Sequence, residues 1–379
     1  MKRKLGIYVH IPFCVQKCRY CDFCSVAGAG SSKMEKYTNE LCRRIEQERS
    51  RLSDRIVDTV YFGGGTPSLL PVEAFSRIFD ALRASCKISD DCEITCECNP
   101  ATADETYFRA LRALGVNRLS IGLQSVHDEE LRRLGRIHSY ADFVKTFSDA
   151  RLAGVDNISV DLMYALPDQS LARFEESLVR LAELSPEHIS VYGLKIEEET
   201  PFWTLRDTLS LPDEETELAM YLACTEILAR YGYEKYEISN FAKRGRRSLH
   251  NLRYWRGEEY LGFGVAAHSY LDGERFGNSR DINAFLLGEN IVEERVCLDE
   301  SDLRNEYLML RLRLSEGISE HELSERFGVH FRLLLPETDR LIAHGLLKEE
   351  NGRIFFTDRG FFVSNAILSE LLEFDEKNC

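Results

Sequence analysis

Apolar and β-branched residues recur along the first half of the chain in short runs, with longer stretches of helical periodicity between them. The six short runs lie at 5–11, 57–62, 93–97, 117–122, 157–163 and 188–194. The helical stretches lie at 33–51, 72–85, 103–114, 140–153 and 171–184. This alternation predicts a parallel sheet with helices packed against it, either as a partial or full β/α barrel or as an open doubly wound sheet.

Polar motifs at the carboxyl ends of the predicted strands favour the barrel. A cysteine run follows the first strand, a glycine-rich turn at 63–67 follows the second, and Glu97 and Asn99 close the third. Gln124 follows the fourth strand and Asp161 lies on the fifth. In a barrel these ends converge on one mouth, whereas in an open sheet they would spread along an edge. We therefore expect them to share one site.

The pattern changes after about residue 200. A helix rich in Ala, Leu and Glu follows Pro212, residues 233–239 read as a strand, and 250–267 is aromatic and glycine-rich. The stretch from 301 onward then predicts two helices, a β-pair and a final helix, at 319–328, 331–344, 347–357 and 360–372. That order is typical of a winged helix, a fold that often binds DNA.

Charge argues against nucleic acid as the partner of this C-terminal region. The charged residues at the centre of its second predicted helix are Arg332, Arg340, Glu337 and Asp339. Because the two signs balance, this helix has no basic excess to meet phosphates, and we expect a structural or protein-contact role. The whole chain carries 48 Lys and Arg against 63 Asp and Glu, a net charge of −15, which also repels phosphate backbones and anionic lipid.

The chain shows no secretion signal at its N-terminus and no apolar run of 18 residues, so we expect a cytoplasmic protein without an integral membrane segment. Thiols stay reduced in that compartment, where clustered cysteines indicate metal binding rather than disulfides. The oligomeric state is left open by the sequence.

Cys14, Cys18 and Cys21 form a CxxxCxxC run that suits one 4Fe-4S cluster. Three thiolates can hold three irons and leave the fourth without a protein ligand, so that an exogenous molecule can bind it. An open iron implies chemistry as well as electron storage. The alternative is that the three cysteines are buried free thiols, which pack as small hydrophobic side chains.

This triad, with Tyr20 before its third cysteine and the glycine turn after it, resembles the radical S-adenosylmethionine (SAM) superfamily. The resemblance covers nearly the whole chain and is strongest to the group related to oxygen-independent coproporphyrinogen III oxidase. Further matching runs lie at 8–13, 118–125, 134–138, 161–167 and 236–242. The resemblance implies an α/β fold with a partial (β/α)6 radical SAM barrel at 1–200, a family-specific extension at 201–300, and a small α+β winged-helix-like domain at 301–379.

The same resemblance implies a SAM site at the open iron. The glycine turn and its threonine would bind the methionyl amino group, the carboxylates would accept hydrogen bonds from ribose hydroxyls or an ammonium group, and a guanidinium would bind the SAM carboxylate. Two tyrosines would flank the cluster and SAM, and a glutamine would bind the nucleoside part. The alternatives are barrel-core aromatics and a purely structural polar network. The implied SAM-binding residues are Tyr8, Tyr20, Gly64, Gly65, Thr66, Glu97, Gln124, Arg136 and Asp161.

Within that group the chain most resembles the HemW-type haem chaperones, whose mark is the segment at 250–255. The resemblance implies that His250, Tyr254 and Trp255 bind haem, which the protein then passes to an acceptor protein. Imidazole is a common axial ligand of haem iron, and aromatic rings can cover a porphyrin face. The alternative for His250 is a hydrogen-bonded surface histidine. The basic run at 243–247 would pair with haem propionates or form a solvated loop.

Two departures separate the chain from the oxidase pattern. The oxidases carry a further cysteine two residues after the third, where this chain has Phe23, and here a cysteine follows instead at Cys24. We expect that Cys24 is not a cluster ligand. Only thirteen residues precede Cys14, whereas the oxidases have a substantial segment there. Both departures favour the haem chaperone over oxidative decarboxylation of coproporphyrinogen, the alternative function.

Anaerobic reconstitution of the purified chain should give about four irons and four sulfides per chain. Cys18→Ser should lose most of that iron, because the cluster then lacks one of its three thiolates. Iron and sulfide analysis with the visible absorption spectrum measures the effect. Full retention of the cluster in Cys18→Ser would contradict the ligand assignment.

Overall fold

The computed structural model describes residues 3–371. Its strands are β1 (Arg3–Ile11), β2 (Phe13–Cys14), β3 (Val26–Ala27), β4 (Arg55–Gly64), β5 (Lys87–Cys98), β6 (Arg118–Gln124), β7 (Ile158–Tyr164), β8 (His188–Gly193), β9 (Glu234–Lys235), β10 (Asn240–Ala242), β11 (Tyr260–Phe263), β12 (His268–Leu271), β13 (Glu274–Asn278), β14 (Val292–Cys297), β15 (Ile318–Ser319), β16 (Leu347–Glu350) and β17 (Arg353–Phe356).

The helices of the same residues alternate with these strands in the first half of the chain and dominate its end. They are α1 (Ser31–Gln47), α2 (Arg49–Leu52), α3 (Val72–Ser85), α4 (Glu105–Leu114), α5 (Asp128–Leu134), α6 (Tyr140–Leu152), α7 (Leu171–Glu183), α8 (Pro201–Leu205), α9 (Glu214–Arg230), α10 (Leu249–Trp255), α11 (Ile282–Leu286), α12 (Glu300–Arg311), α13 (Glu320–Phe327), α14 (Phe331–Leu334), α15 (Thr338–Ala343), α16 (Asp358–Phe362) and α17 (Ser364–Leu371). Single 3₁₀ turns occupy Pro67–Leu69 and Arg206–Thr208.

Twelve strands form one mixed sheet in the order β14-β13-β12-β11-β1-β4-β5-β6-β7-β8-β10-β9. The seven neighbours from β11 to β8 run parallel, and the strands at both edges run antiparallel. Within the described residues no pairing joins β14 to β9, so the sheet stays open. The predicted partial barrel is confirmed, with all six predicted strands in place. Four of the five predicted helices are single elements, and the helix predicted at 33–51 is divided at Glu48 into α1 and α2. The sequence analysis missed α5, a helix of only seven residues.

The parallel strands place apolar side chains on one face and polar side chains on the other. On β6, Leu119, Ile121 and Leu123 are at most 1% exposed and belong to the main core. The alternate residue Ser120 points to the opposite face, where its hydroxyl donates to Asp161 Oδ1 on β7 at 3.3 Å. Because side chains alternate along a strand, the helices cover the apolar face and the polar face lines the interior.

The segment predicted as an extension, 201–300, supplies strands to both edges of the sheet. β11 adds a seventh parallel strand beside β1, and β10 pairs antiparallel with β8. The predicted strand at 233–239 is wrong in its length, because the strand covers only Glu234–Lys235 and Glu237 makes an isolated bridge with Leu314. The backbone reverses after it, with Tyr236 N donating to Asn240 O at 3.1 Å and Ser239 N donating to the buried Glu237 carboxylate at 3.2 Å.

Helix α10 enters the polar interior between the two edges. Its first backbone amides, at Leu249 and His250, both donate to the Glu93 carboxylate on β5 at 3.1 Å. The hydroxyl of Ser248 caps the helix by accepting from Asn251 N. A carboxylate at a helix N-terminus satisfies orphan amides and complements the helix dipole, so Glu93 fixes α10 against the sheet.

The C-terminal region has the predicted winged-helix-like arrangement. β15, β17 and β16 form a three-stranded antiparallel sheet, with the tight turn at Asn351 and Gly352, whose φ angles are 52° and 70°. Arg332 of the second helical region pairs with Asp339 and Glu349, so its charge is neutralised within the domain. The predicted end of this domain, 372–379, lies outside the described residues.

The helix predicted at 331–344 is wrong as a single element. It is broken into α14 and α15 at Pro336, because a proline disfavours helical backbone at the residue before it. Leu335 accordingly adopts φ −124° and ψ 77°. Asp358 of α16 ties the domain to the large sheet, accepting from Lys235 Nζ at 2.9 Å and from Thr225 Oγ1 at 3.2 Å.

Replacing Phe62 with alanine should cost about 3–5 kcal/mol of the free energy of unfolding. The Phe62 ring is fully buried between β4 and α3, with edge contacts to Phe75 and Phe79, so its loss leaves a cavity. Leu333→Ala is the control, since Leu333 is 73% exposed and its loss should change stability by less than about 0.5 kcal/mol. Urea unfolding followed by circular dichroism compares the two. Equal midpoints for both variants would contradict the packing described.

Candidate functional site

The cysteine loop lies between β2 and β3, above the carboxyl end of β1. Cys14 ends β2, and its carbonyl accepts from Gly28 N at 3.0 Å. The loop is anchored through Arg19, whose amide donates to Leu134 O at 2.9 Å and whose carbonyl accepts from Phe202 N at 3.0 Å. The three cysteines of the triad are half-buried free thiols. The three cysteines therefore lie on a short loop that backbone hydrogen bonds to Leu134 and Phe202 hold in place.

The cysteine triad of the described residues is not arranged to hold a single metal ion. Among residues 3–371, no three His, Cys, Asp or Glu side chains lie close enough together to hold one metal ion. A 4Fe-4S cubane binds each thiolate to a different iron and so spaces its ligands further apart. Cys24 directs its thiol to the Arg280 carbonyl at 3.5 Å, and its own carbonyl is hydrogen-bonded to His10 Nε2 at 2.8 Å. That Cys24 is not a ligand stays a prediction.

Two side chains donate hydrogen bonds to sulfurs of the triad. The Thr66 hydroxyl lies 3.6 Å from Cys14 Sγ, and Arg136 Nη1 lies 3.4 Å from Cys18 Sγ. The side chain of Asn99 joins these two donors, with Nδ2 2.6 Å from Thr66 Oγ1 and Oδ1 2.6 Å from Arg136 Nη2. The sequence analysis noted Asn99 only as part of a motif and did not select it as a site residue.

The glycine turn packs directly against the strand that carries the cysteines. Gly64 has φ +111°, in the region that favours glycine, and a Cβ at Gly65 would lie 2.7 Å from the Phe13 carbonyl oxygen. The amides of this turn are used inside the protein, since Gly65 N donates to Ile11 O and Thr66 N to Phe13 O. An ammonium group can only donate, so any contact from the turn's backbone to it must come from the carbonyl oxygens.

Two half-buried carboxylates face the interior beside this turn. Glu97 accepts from Tyr61 OH at 2.9 Å and from Gly64 N at 3.1 Å, and burial raises its pKa to about 7. Asp161 accepts from Ser120 and, at 3.2 Å, from Tyr192 OH, and burial raises the pKa of that carboxyl too. Tyr61 and Tyr192 were missed by the sequence analysis. The sequence signal that could have identified them is their position, because both tyrosines fall on the polar face of their strands.

Gln124 and Arg136 meet around a glycine on β6. Gln124 has φ +73°, unusual for a residue with a side chain, and the β6–β7 register shifts between Gly122 and Gln124. A Cβ at Gly122 would lie 2.9 Å from both Arg136 Nη2 and Gln124 Nε2. The Gly122 carbonyl also accepts from Arg136 Nη2 at 2.7 Å. Glycine at 122 therefore makes room for two of the predicted SAM-binding side chains.

The two predicted aromatic residues occupy different surroundings. Tyr20 packs on a small apolar cluster with Leu134 and Phe202, and burial raises the pKa of its hydroxyl despite the nearby Arg136. Tyr8 stacks on Tyr61 with ring centres 6.2 Å apart. A hydrogen bond of 3.0 Å joins its hydroxyl to His10 Nδ1. The structure thus places Tyr20 at the arginine and Tyr8 beside the tyrosine that holds Glu97.

The alternative interpretation of His250, a hydrogen-bonded surface histidine, is wrong in placing the residue at the surface. His250 is 1% exposed, and both of its ring nitrogens are engaged, Nδ1 with Thr59 Oγ1 at 2.9 Å and Nε2 with Tyr254 OH at 2.8 Å. Its ring stacks on Tyr61 with centres 5.2 Å apart, and burial lowers its pKa to about 3. Trp255 lies apart from this pair, packed against a cluster that includes Tyr236.

Tyr61 connects the two predicted sites. One contact is its stacking on His250, and the other is the hydrogen bond from its hydroxyl to Glu97. The haem segment and the predicted SAM acids therefore share one side chain in the polar interior.

Comparison with known proteins places these features in a family. The Radical SAM superfamily model matches residues 8–181, and the HemN C-terminal domain model matches 298–363. The haem chaperone HemW of Escherichia coli (strain K12) is 36% identical over 373 residues, covering 97% of this chain and 98% of that protein. The chain belongs to the HemW family of radical SAM proteins.

Other relatives agree with this placement. The haem chaperone HemW of Bacillus subtilis (strain 168) is 34% identical over 96% of this chain and 98% of its own length. The mitochondrial radical S-adenosyl methionine domain-containing protein 1 of Bos taurus is 34% identical over 98% of this chain and 88% of its own length. The solved structure of coproporphyrinogen III oxidase (HemN) from Escherichia coli has a TM-score of 0.85 at 24% identity, covering 98% of this chain and 91% of that chain. That likeness shows the fold.

Glu97→Gln should make the chain more stable than wild type at pH 8 by about 2 kcal/mol, with the difference fading toward pH 5. The folded-state pKa of Glu97, about 7, lies above its ordinary value of 4.5. The folded chain therefore binds the proton more tightly than the unfolded chain does. Its free energy of unfolding falls as the pH rises from 4.5 to about 7. Urea unfolding of both proteins at several pH values checks this. A difference that does not change with pH would contradict the assignment.

Proposed function

We propose that this chain is a haem chaperone, which binds haem at helix α10 and passes it to an acceptor protein. In this proposal the chain also holds a 4Fe-4S cluster through Cys14, Cys18 and Cys21, and binds SAM at the mouth of the open sheet. The observation that best supports this proposal is the contact of helix α10 with the predicted SAM site through Tyr61. The relatives that match the chain over its full length are named haem chaperones.

The donor set supports the cluster and SAM. The triad presents three free thiols, two of which already receive hydrogen bonds, and such bonds to cluster sulfurs tune a cluster's potential. When bound, the cluster and SAM together supply one-electron chemistry. Arg136 would bind the SAM carboxylate as a planar cation, and Glu97 and Asp161 would accept from its ribose or ammonium groups. Tyr8, Tyr20, Gly64, Gly65, Thr66 and Gln124 would complete the contacts.

The geometry of α10 defines how haem would enter. His250 is neutral at physiological pH, since burial lowers its pKa to about 3, and the neutral imidazole is the form that binds a metal. Its Nε2 is held by the Tyr254 hydroxyl. Ligation through Nε2 replaces that bond, so Tyr254 must move aside and the end of α10 must open. The proposal gives Tyr254 and Trp255 the role of covering the porphyrin.

The acceptor is a protein, and the cytoplasm is the proposed compartment. The described cysteines are all free thiols, as expected where thiols stay reduced. Among residues 3–371, no helix is long and apolar enough to cross a bilayer.

The basic run at 243–247 already has acidic partners on the surface, with Arg246 at 3.4 Å from Asp156 and Arg247 at 3.7 Å from Glu234. Propionates would compete with these carboxylates.

The oxidase alternative is not favoured. Its support is the likeness to the HemN structure, which at 24% identity speaks only for the fold. The relatives that match over the full length at 34–36% identity are named haem chaperones. Phe23, at the position of the oxidases' additional cysteine, is 66% exposed and offers no metal ligand.

His250→Ala should weaken haem binding and change the Soret band, because the axial imidazole is lost. Tyr254→Phe should bind haem at least as tightly as wild type, because it frees Nε2 while keeping the aromatic ring. His330→Ala, at a histidine whose side chain is 70% exposed, is the matched control and should match wild type. Optical titration of haem into the four proteins measures these effects.

Equal affinities and identical spectra for wild type and His250→Ala would remove His250 from the haem site. The same reconstituted wild-type sample should be assayed anaerobically for conversion of coproporphyrinogen to protoporphyrinogen. Conversion of coproporphyrinogen without haem binding would contradict the chaperone function and support the oxidase function instead.

A further inference from the structure

A chain of four hydrogen bonds links two cysteines of the triad through Thr66 after β4, Asn99 after β5 and Arg136 after α5. It runs from Cys14 Sγ to the Thr66 hydroxyl at 3.6 Å, and from Thr66 Oγ1 to Asn99 Nδ2 at 2.6 Å. It continues from Asn99 Oδ1 to Arg136 Nη2 at 2.6 Å and ends with Arg136 Nη1 at 3.4 Å from Cys18 Sγ. Asn99 stands at its centre.

We propose that Asn99 is a positioning residue for the cluster and for SAM. Its side-chain amide orients the Thr66 hydroxyl and the Arg136 guanidinium as donors to Cys14 and Cys18. It thereby raises the reduction potential of the cluster and holds the arginine ready for the SAM carboxylate. This inference rests on the proposed cluster and SAM site and adds a residue to it.

The chain of hydrogen bonds requires a carboxamide side chain at position 99. The Thr66 hydroxyl has one proton, which is free to point at Cys14 because the same oxygen accepts from Asn99 Nδ2. Arg136 can only donate, so its partner must accept. An amide offers a donor on one side and an acceptor on the other. A carboxylate would lose the donor, and an alkyl side chain would lose both.

The backbone around Asn99 holds its side chain in place. The Asn99 carbonyl accepts from Thr102 Oγ1 at 2.6 Å and from Thr102 N at 3.3 Å, so the residue is fixed just after β5. Gly122 leaves space on the other side, where a Cβ would lie 3.1 Å from Asn99 Oδ1. Arg136 is held by a second acceptor, the Gly122 carbonyl. The orientation of the amide is therefore set by neighbours on both sides.

Donors to cluster sulfurs draw off negative charge and favour the reduced state, so losing them lowers the potential. The guanidinium donates to Asn99 Oδ1, the Gly122 carbonyl and Cys18 Sγ, and it would also serve the proposed SAM carboxylate. A misplaced Arg136 would therefore weaken SAM binding, by about tenfold for one hydrogen bond to a charged group.

The test compares Asn99→Ala and Asn99→Asp with Asn117→Ala as the matched control. Asn117 also bridges polar groups with its amide, accepting from Ile94 N and donating to Cys92 O, but beside the middle of β5. Each protein is reconstituted anaerobically, and its iron content, its midpoint potential by a redox titration followed by electron paramagnetic resonance, and its dissociation constant for SAM are measured. Urea unfolding of the unreconstituted proteins reports stability separately.

Both Asn99 variants should have a more negative midpoint potential than wild type. Asn99→Ala should also have a SAM dissociation constant about tenfold higher. Asn99→Asp should raise that dissociation constant less, because its carboxylate still accepts from Arg136. Asn117→Ala should lower stability without changing either quantity. Wild-type potentials and SAM affinities in both Asn99 variants would overturn the inference, as would shifts in Asn117→Ala of the same size.

Cluster loss in an Asn99 variant that unfolds like wild type before reconstitution supports the positioning role. The same loss with a matching drop in stability overturns it in favour of a purely structural role. Failure of the wild-type chain to take up a cluster or SAM would count against the proposed function instead.

Discussion

The polar inner face of the parallel sheet is the constraint on which the rest of this structure depends. Side chains alternate along each strand, so helices can cover only one face, and the other must bury hydroxyls, imidazoles and carboxylates. Buried polar groups are costly unless they are hydrogen-bonded. The interior meets this demand by pairing neighbouring strands, as Ser120 does with Asp161 and Ser159 with His188. The candidate functional site lies at the strand ends, where the same hydrogen-bonded pairing of polar side chains continues.

The same demand explains where α10 sits. A helix that enters a polar interior must satisfy its own first amides, and Glu93 accepts two of them. His250 then meets Thr59 on one side and Tyr254 on the other, and burial keeps its ring neutral. In this arrangement both ring nitrogens of the predicted haem ligand are already engaged. Tyr61 stacks on His250 and donates to Glu97, so it contacts both α10 and the predicted SAM site.

Much of the fold was predictable because its signals are local. The periodicity at 72–85 predicted α3 with its observed bounds, and the runs at 117–122 and 157–163 lie within a few residues of β6 and β7. Errors arose where one residue overrides a pattern over a longer stretch. Pro336 divides the helix predicted at 331–344, and the buried Glu237 carboxylate holds a reversal within the strand predicted at 233–239.

The sequence by itself determined the cysteine spacing, the order of strands and helices, and the family, because each is written in neighbouring residues. Only the tertiary structure decided which side chains meet. Asn99 became a site residue because folding brings it between Thr66 and Arg136, which lie 33 and 37 positions away along the chain. His250 likewise is buried, with its ring hydrogen-bonded to Thr59, 191 positions away along the chain. Burial and hydrogen-bond partners depend on such distant neighbours, and no local pattern encodes them.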